Sequence, residues 1–107
     1  MSGLIALVLA ATLSTAGQLS WPAASGAQAY RIWRCPDGAC QLKYYTVAGV
    51  RKPFPVSLGQ WQLLTETSKR RRSVSVACGY YEYSVQSIAR NGSSAPGGNV
   101  VSCGVTP

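Results

Sequence analysis

The stretch YEYSVQ, residues 81–86, has the clearest strand pattern in the chain, because apolar and polar side chains alternate along it. Alternation with a period of two is typical of a β-strand, in which successive side chains point to opposite faces of a sheet. Tyr81, Tyr83 and Val85 therefore share one face, and we predict that they belong to the hydrophobic core.

Similar short stretches lie on both sides of residues 81–86, separated by turn-forming residues. They give about seven strands in about 100 residues and no helix of useful length, which is the pattern of a β-sandwich. We therefore predict an all-β fold that forms one domain over residues 1–107. The other predicted strands are residues 4–11, 18–21, 30–35, 61–67, 73–78 and 100–105.

The composition of the chain argues against catalysis. Its 107 residues include ten Lys and Arg, no histidine, and only Asp37, Glu66 and Glu82 as acids, so the formal net charge is +7. Most acid–base and nucleophilic mechanisms need an imidazole or a pair of carboxylates. We therefore expect no enzyme activity, no cofactor and no metal site.

The chain has four cysteines, which indicates that disulfides cross-link the fold. They are Cys35, Cys40, Cys78 and Cys103. An even number of cysteines suits an oxidising or extracellular setting. Their spacing contains no CxxC pair, and no histidine is present to complete a mixed zinc site. We expect two disulfides, and four buried thiols are the alternative.

The stretch CPDGAC, residues 35–40, is predicted to be a hairpin tip. Pro36 presets a turn, and Gly38 can take the positive φ that the reversal needs. If Cys35 and Cys40 face each other across this tip, their disulfide closes a small loop and sets the register of the strands beside it.

That register would create a candidate partner-binding face. It places Trp33 opposite Leu42 and Arg31 opposite Tyr44, all directed away from the core. Tyr, Trp and Arg are enriched in interface hot spots, and an exposed patch of this kind usually has a partner. The alternative is that the residues after the tip fold over this face and bury it. The opposite face of the same strand carries the predicted core residues Tyr30 and Ile32.

The amino terminus fits two interpretations. Residues 4–11 are an unbroken apolar run followed by Ser14, Thr15 and Ala16, which resemble a secretory cleavage site, but no basic residue precedes the run. The run is too short to span a bilayer as a helix. We favour a buried first strand over a signal peptide of residues 1–16.

Several motifs occur in an order that resembles a fibronectin type III domain, of the stand-alone type found in phages and bacteria. They are LSWP at residues 19–22, YRI at 30–32, YEYSV at 81–85 and IARNGS at 88–93. An immunoglobulin domain is a poorer match, because no cysteine lies beside Trp21 to bridge the sheets.

The resemblance implies an immunoglobulin-like β-sandwich with Trp21 and Tyr30 in its core. It also implies that Tyr81 is the corner tyrosine, whose hydroxyl returns to the backbone. Cys78 and Cys103 would lie on neighbouring strands, so the resemblance implies a second bridge between them.

Residues 41–60 depart from the family pattern. They form an insertion if residues 61–65 are the strand that follows the third one. Alternatively, residues 42–47 are the fourth strand and residues 53–59 are a loop. The prolines of residues 51–55 exclude a central strand but allow an extended arm.

The run Lys69, Arg70, Arg71 and Arg72 is a second candidate for partner binding. It can be a solvated edge that discourages aggregation, a phosphate-binding patch, or a surface that docks on an acidic shell or envelope. No recognition helix or aromatic platform flanks it, so nucleic acid is not the expected partner.

The resemblance and the surface residues lead to an expected function. We expect a non-catalytic module on a larger assembly, most of all a phage virion surface component that decorates a capsid or tail. The alternative is a secreted adhesion module that binds carbohydrate or a cell surface through Trp33, Tyr44 and Trp61. The expected partner is a multi-subunit protein shell or a surface polysaccharide, outside the cell and without a membrane span.

Overall fold

The computed structural model describes residues 10–36, 38–79 and 81–103. Apart from Ala10 and Ala11, the predicted strand over residues 4–11 lies outside these ranges. The described residues form eight strands and one turn of 3-10 helix, Leu58–Gln60. The strands are β1 (Thr12–Leu13), β2 (Gln18–Ser20), β3 (Ala27–Cys35), β4 (Leu42–Val47), β5 (Val50–Pro55), β6 (Gln62–Ser68), β7 (Ser73–Ser75) and β8 (Glu82–Ala89).

The strands build two three-stranded antiparallel sheets and a separate ribbon. One sheet has the order β6-β3-β8, the other has the order β1-β2-β7, and β4 pairs only with β5. The main core contains side chains from both three-stranded sheets, so the sheets face each other across it. The prediction of an all-β, sandwich-like class is confirmed.

Large apolar side chains fill the space between the sheets. The rings of Trp21 and Tyr30 meet edge to face, with their centroids 5.5 Å apart, a geometry that the ring quadrupoles favour. Tyr81 is partly buried and packs against this core. The buried members are Ala11, Leu19, Trp21, Tyr30, Ile32, Val74, Tyr83 and Val85.

The tyrosine that anchors the start of β8 is Tyr83. Its hydroxyl donates a hydrogen bond to the carbonyl oxygen of Ala77, 2.5 Å away. Tyr81 is only half-buried, and its ring lies 4.5 Å from the guanidinium carbon of Arg34. The expectation that Tyr81 is the corner tyrosine is therefore wrong by two residues, because the fully buried Tyr83 is the ring whose hydroxyl needs an internal partner.

Both faces of β8 are buried, although the sequence alternates between apolar and polar residues. Ser84 donates from its hydroxyl to the carbonyl of Gly98 at 2.8 Å, and the Gln86 amide donates to the carbonyl of Ala95 at 2.9 Å. The chain after β8 thus covers its polar face. The sequence predicts a last strand over residues 100–105. The described residues after β8 instead form only isolated bridges, through Ser94 and Val101. Residues 104–107 lie outside the described ranges.

Residues 41–60 contain the two-stranded ribbon. Strands β4 and β5 pair from Leu42 opposite Pro55 to Val47 opposite Val50. Ala48 and Gly49 connect them with φ of 52° and 81°, which is the left-handed backbone of a tight two-residue hairpin turn. The prolines of β5 are tolerated because this strand has a single partner. Strand β6 pairs with β3, and residues 42–47 also form a strand, but its partner is β5.

A second, smaller core lies where the ribbon leaves the sandwich. Cys35, Cys40, Trp61 and Val100 are buried in it. Trp33, Leu42 and Leu58 pack against this cluster and are partly buried. The base of the ribbon therefore covers part of the β3 face that points away from the main core.

Two disulfides are present, and they join Cys35 to Cys40 and Cys78 to Cys103. These are the two expected pairings. The Cα atoms are 6.1 Å apart in the first bridge and 5.4 Å apart in the second. Both lie at the end of the sandwich where β3 finishes and β8 begins, because Cys35 pairs across the sheet with Glu82.

Candidate interaction surfaces

The predicted binding face of Arg31, Trp33, Leu42 and Tyr44 is not formed. Both edges of β3 are occupied, by β6 on one side and β8 on the other, so β4 cannot pair with it. Trp33 lies opposite Leu63 and Ser84 instead of Leu42. The prediction is wrong because a disulfide between Cys35 and Cys40 closes the tip without making its two arms a β-hairpin.

Trp33 and Leu42 are packing residues at the second core. The Trp33 indole nitrogen donates to the Gln86 side-chain oxygen at 3.0 Å. Trp61 is 5% exposed, so it cannot serve as a sugar-stacking platform with Trp33 and Tyr44. The alternative prediction is that the residues after the tip cover this face, and it holds in part, because Trp33 and Leu42 are partly buried against the second core.

Arg31 lies on the same sheet but has a different partner. Its guanidinium Nε is 2.9 Å from a carboxylate oxygen of Glu66 on the neighbouring strand. Both side chains are exposed, so this ion pair contributes little to stability. Arg31 is therefore separated from Tyr44, which belongs to the ribbon.

The ribbon presents the main exposed aromatic surface of the described chain. Tyr44, Tyr45 and Val50 are each about half exposed, at 51%, 51% and 54%. Tyr44 and Tyr45 are consecutive strand residues, so they point to opposite faces of the ribbon. We call Tyr44, Tyr45 and Val50, with Lys43 and Arg51, the ribbon surface.

A cation lies over each of the two exposed tyrosine rings. The Arg51 guanidinium carbon is 5.0 Å from the Tyr44 ring centroid, and Lys43 Nζ is 5.5 Å from that of Tyr45. Tyr45 also meets the buried Phe54 edge to face at 5.5 Å. These contacts orient the rings while leaving half of their surface open. The sequence-based prediction missed three residues of this surface: Tyr45, Lys43 and Arg51. The adjacent tyrosines at positions 44 and 45 were the signal that could have pointed to this segment.

The basic run forms the connection between β6 and β7. Lys69, Arg70, Arg71 and Arg72 are all exposed there. Because Ser68 pairs with Ala29, this loop lies at the end where β3 begins, whereas the ribbon leaves near the end of β3. The structure therefore does not combine the two groups of predicted partner-binding residues into one surface.

The described acids do not form a catalytic pair. Glu66 and Glu82 lie on different strands with β3 between them, and Glu66 is held by Arg31. Burial raises the pKa of Glu82, and one of its carboxylate oxygens is buried without a hydrogen-bond partner. Within the described ranges no group of three or more acidic or cysteine side chains is placed to hold a metal ion.

Comparison with known proteins supports only the fold. The sequence matches no protein family and no curated protein. A similar solved structure is the crystal structure of pectate lyase Pel3 from Pectobacterium carotovorum, with a TM-score of 0.50 and 17% identity. The likeness covers 84% of this chain but only 23% of the lyase chain.

The likeness is thus to a part of a much longer protein, and at this identity it concerns architecture alone. In the described part of the chain, no helix has the length and hydrophobicity that a bilayer span requires. The two disulfides fit an extracellular or secreted protein.

Proposed function

We propose that this chain is a non-catalytic binding module that works outside the cell and attaches to a larger assembly through the ribbon surface. The observation that carries the proposal is the pair of half-exposed rings, Tyr44 and Tyr45, each with a cation over it. Tyrosine and arginine dominate interface hot spots, because a rigid ring buries a large area at low entropic cost.

The shape of the ribbon supports this role. Its tip, around Ala48 and Gly49, is exposed, while its base is anchored by Leu42 and Phe54. A projecting hairpin with an anchored base can enter a concave partner surface with little loss of conformational entropy. The absence of histidine from the sequence and the separation of Glu66 from Glu82 favour binding over catalysis.

In its more specific form, the proposal makes the chain a fibronectin type III-like module of a phage virion surface. The facing sheets and the hydrogen bond from Tyr83 to Ala77 support this type of sandwich. Capsid decoration or tail association would use the ribbon surface against a protein shell in many copies. The two disulfides suit exposure to an oxidising medium.

The test is rebinding to particles from the source of the protein. Particles are stripped of the chain with salt, and purified wild type, a Tyr44→Ser/Tyr45→Ser variant and a Leu63→Ser/Leu64→Ser control are added back. Leu63 and Leu64 are also exposed, at 50% and 38%, but belong to β6 and not to the ribbon. We expect about tenfold weaker co-sedimentation for the tyrosine variant, since losing two hot-spot rings costs more than 1.4 kcal/mol.

Two results would overturn this proposal. One is that the chain sediments with no large particle in its source. The other is that the leucine control loses as much binding as the tyrosine variant while both keep the wild-type melting temperature.

A second candidate function is adhesion to a glycan, which the half-exposed rings of Tyr44 and Tyr45 favour because sugar rings stack on exposed aromatic rings. The similar solved structure is named as a pectate lyase, so pectate and neutral xylan are suitable first probes. Retardation in native gels cast with either polymer, lost in Tyr44→Ser/Tyr45→Ser, would favour this candidate over the protein shell.

A further inference from the structure

A shallow groove of about 340 Å³ lies at the end of the sandwich opposite the ribbon. It runs between the loop after Trp21 and the connection from β6 to β7. One wall is cationic and the other is formed by small apolar side chains and a tyrosine. The lining residues are Lys69, Arg70 and Arg72 on the first wall, and Ala23, Ala24, Ala27 and Tyr30 on the second.

Backbone contacts hold the two walls in place. The Tyr30 hydroxyl accepts a hydrogen bond from the amide of Ala24 at 2.9 Å, and the Trp21 amide donates to the carbonyl of Arg72 at 3.1 Å. A further bond from the Ala27 amide to the Ala24 carbonyl, 3.1 Å, closes the loop. The groove is therefore formed before any ligand arrives, which lowers the entropic cost of binding.

The described acidic side chains do not neutralise the cations that line the groove. Among the residues that the structure describes, none of the lining cations makes an ion pair, and the one ion pair joins Arg31 to Glu66. Glu82 lies at the far end of β3, opposite Cys35. Three cationic residues line this one concave surface, so an anion bound there gains favourable Coulomb energy.

The second wall restricts the ligand further. Tyr30 is 1% exposed, so its ring face is not available for stacking, and the accessible surface on this side is methyl groups. Small apolar side chains beside cationic ones suit the C–H face of a sugar ring that carries an acidic group. Single-stranded nucleic acid needs exposed aromatic rings on which bases stack, and none lines the groove.

We propose that this groove is a binding site for an acidic polysaccharide, with Arg70, Arg72 and Lys69 paired to its carboxylate or sulfate groups. Guanidinium groups bind such oxyanions through two parallel hydrogen bonds. The disulfides favour this ligand, because acidic glycans are common polyanions outside the cell. The site is distant from the ribbon surface and does not rest on the function proposed for it.

The experiment measures dissociation constants by affinity electrophoresis in gels that contain alginate, dextran sulfate or neutral dextran. The groove variant is Arg70→Gln/Arg72→Gln. The matched control is Arg71→Gln/Arg90→Gln, which removes the same charge from the same end of the molecule without touching the groove lining. We expect the groove variant to bind an acidic polymer about tenfold more weakly and the control less than about twofold.

A third variant separates shape from charge. Ala23→Leu keeps every cation but places a larger side chain in the groove, and Ala23 is exposed, so folding tolerates the change. We expect it to weaken binding of the same polymer by about tenfold as well. Binding to alginate but not dextran sulfate, or the reverse, identifies which acidic group is recognised.

Four outcomes would overturn the proposal. Two concern the variants: an equal loss of affinity for the acidic polymer in the groove variant and its charge-matched control, and unchanged affinity in Ala23→Leu. Two concern the ligands: equal retardation by neutral dextran, and tighter binding of single-stranded DNA than of either acidic polymer, with the same loss of affinity in Arg70→Gln/Arg72→Gln. Tyr44→Ser/Tyr45→Ser leaves the groove intact, so it should bind the acidic polymer like wild type whatever the ribbon surface does.

Discussion

At the scale of single residues, the contrast between Tyr81 and Tyr83 shows what a strand pattern leaves open. Both rings lie on the core side of β8, as the alternation predicts. Only Tyr83 is fully buried, and only its hydroxyl donates to the carbonyl of Ala77. Alternation reports the face of a side chain, whereas its hydrogen-bond partner depends on the chain that folds over it.

This contrast gives a paired prediction. Tyr83→Phe leaves the Ala77 carbonyl without its partner, so we expect a loss of about 1–2 kcal/mol in the free energy of unfolding. Tyr81→Phe removes a hydroxyl that makes no such bond and should change stability by less than about 0.5 kcal/mol. Urea denaturation of both variants measures the difference. Equal losses would mean that the hydroxyl bond contributes nothing.

Ala48 adopts a backbone conformation that glycine and asparagine tolerate better than alanine does. Its φ of 52° lies in the left-handed region, where a Cβ atom costs about 1 kcal/mol and asparagine is better tolerated. Ala48→Asn should therefore raise the free energy of unfolding by about 0.5–1 kcal/mol. Thermal denaturation tests this against Ala48→Val, whose branched side chain should lower stability. A destabilised Ala48→Asn protein would contradict the assigned turn.

Glu82 makes stability depend on pH. Burial raises its pKa in the folded protein, so the folded state retains the proton over a range in which the unfolded chain has lost it. The free energy of unfolding must then fall as pH rises from the unfolded pKa through the folded one. Glu82→Gln should stabilise the protein near pH 7, with the gain disappearing near pH 3, where the carboxyl is protonated in both states.

Melting temperatures of wild type and Glu82→Gln across this range check the prediction, with Glu66→Gln as the control. Glu66 is exposed and paired with Arg31, so its replacement should give no gain at neutral pH. A gain for Glu82→Gln that stays constant down to pH 3 would show that packing, and not charge, is responsible.

At the scale of elements, the first described residues are tied to the last ones by one side chain. The buried amide of Asn99 accepts from the Ala11 backbone nitrogen at 3.0 Å and donates to the Ala11 carbonyl at 3.3 Å. The Asn99 side chain thus makes the backbone hydrogen bonds to Ala11 that a neighbouring strand would otherwise make. Strand β1 then pairs with β2, so residues 11–13 form part of the sandwich.

We predict that deleting residues 1–16 destabilises the protein, because it removes Ala11 and β1 and leaves Asn99 buried without partners. In the full chain Asn99→Ala should cost about 1–3 kcal/mol, whereas in the truncated chain it should cost nothing or be favourable. This double-mutant cycle is measured by urea denaturation. A truncated chain as stable as the full one would instead support a processed amino terminus.

At the scale of the whole molecule, the chain spans 41 × 28 × 24 Å and carries its two candidate surfaces at opposite ends. The ribbon surface lies near the end of β3, and the cationic groove lies near its beginning. Both disulfides are at the ribbon end. The two surfaces could therefore bind different partners at the same time.

The two disulfides should contribute unequally to stability. They close loops with sequence separations of 25 for Cys78 with Cys103 and 5 for Cys35 with Cys40. Loop-closure entropy of the unfolded chain then predicts losses of about 3–4 and about 2 kcal/mol when each pair is replaced by alanine. Guanidinium denaturation of the two double variants gives the order. The reverse order would show that packing in the second core outweighs the entropy of the larger loop.

Much of the fold could be predicted from local patterns. Residues 82–86 of the predicted strand lie in β8, and the all-β class follows from short strands separated by turn-forming segments. The groove and the ribbon surface could not be predicted in the same way. The groove needs the loop after Trp21 to meet the connection after β6, and these segments are far apart in the chain.

Local sequence patterns are enough to predict most of the strands, the turns between them and the apolar face of a strand, because these features depend on neighbouring residues. Tertiary structure alone decided that β3 pairs with β6 and β8, that β4 turns away into a ribbon, and that Trp33 is packed while Tyr44 is exposed. Each strand offers the same backbone donors and acceptors to any other strand. Its partners are therefore selected by the packing of the whole chain.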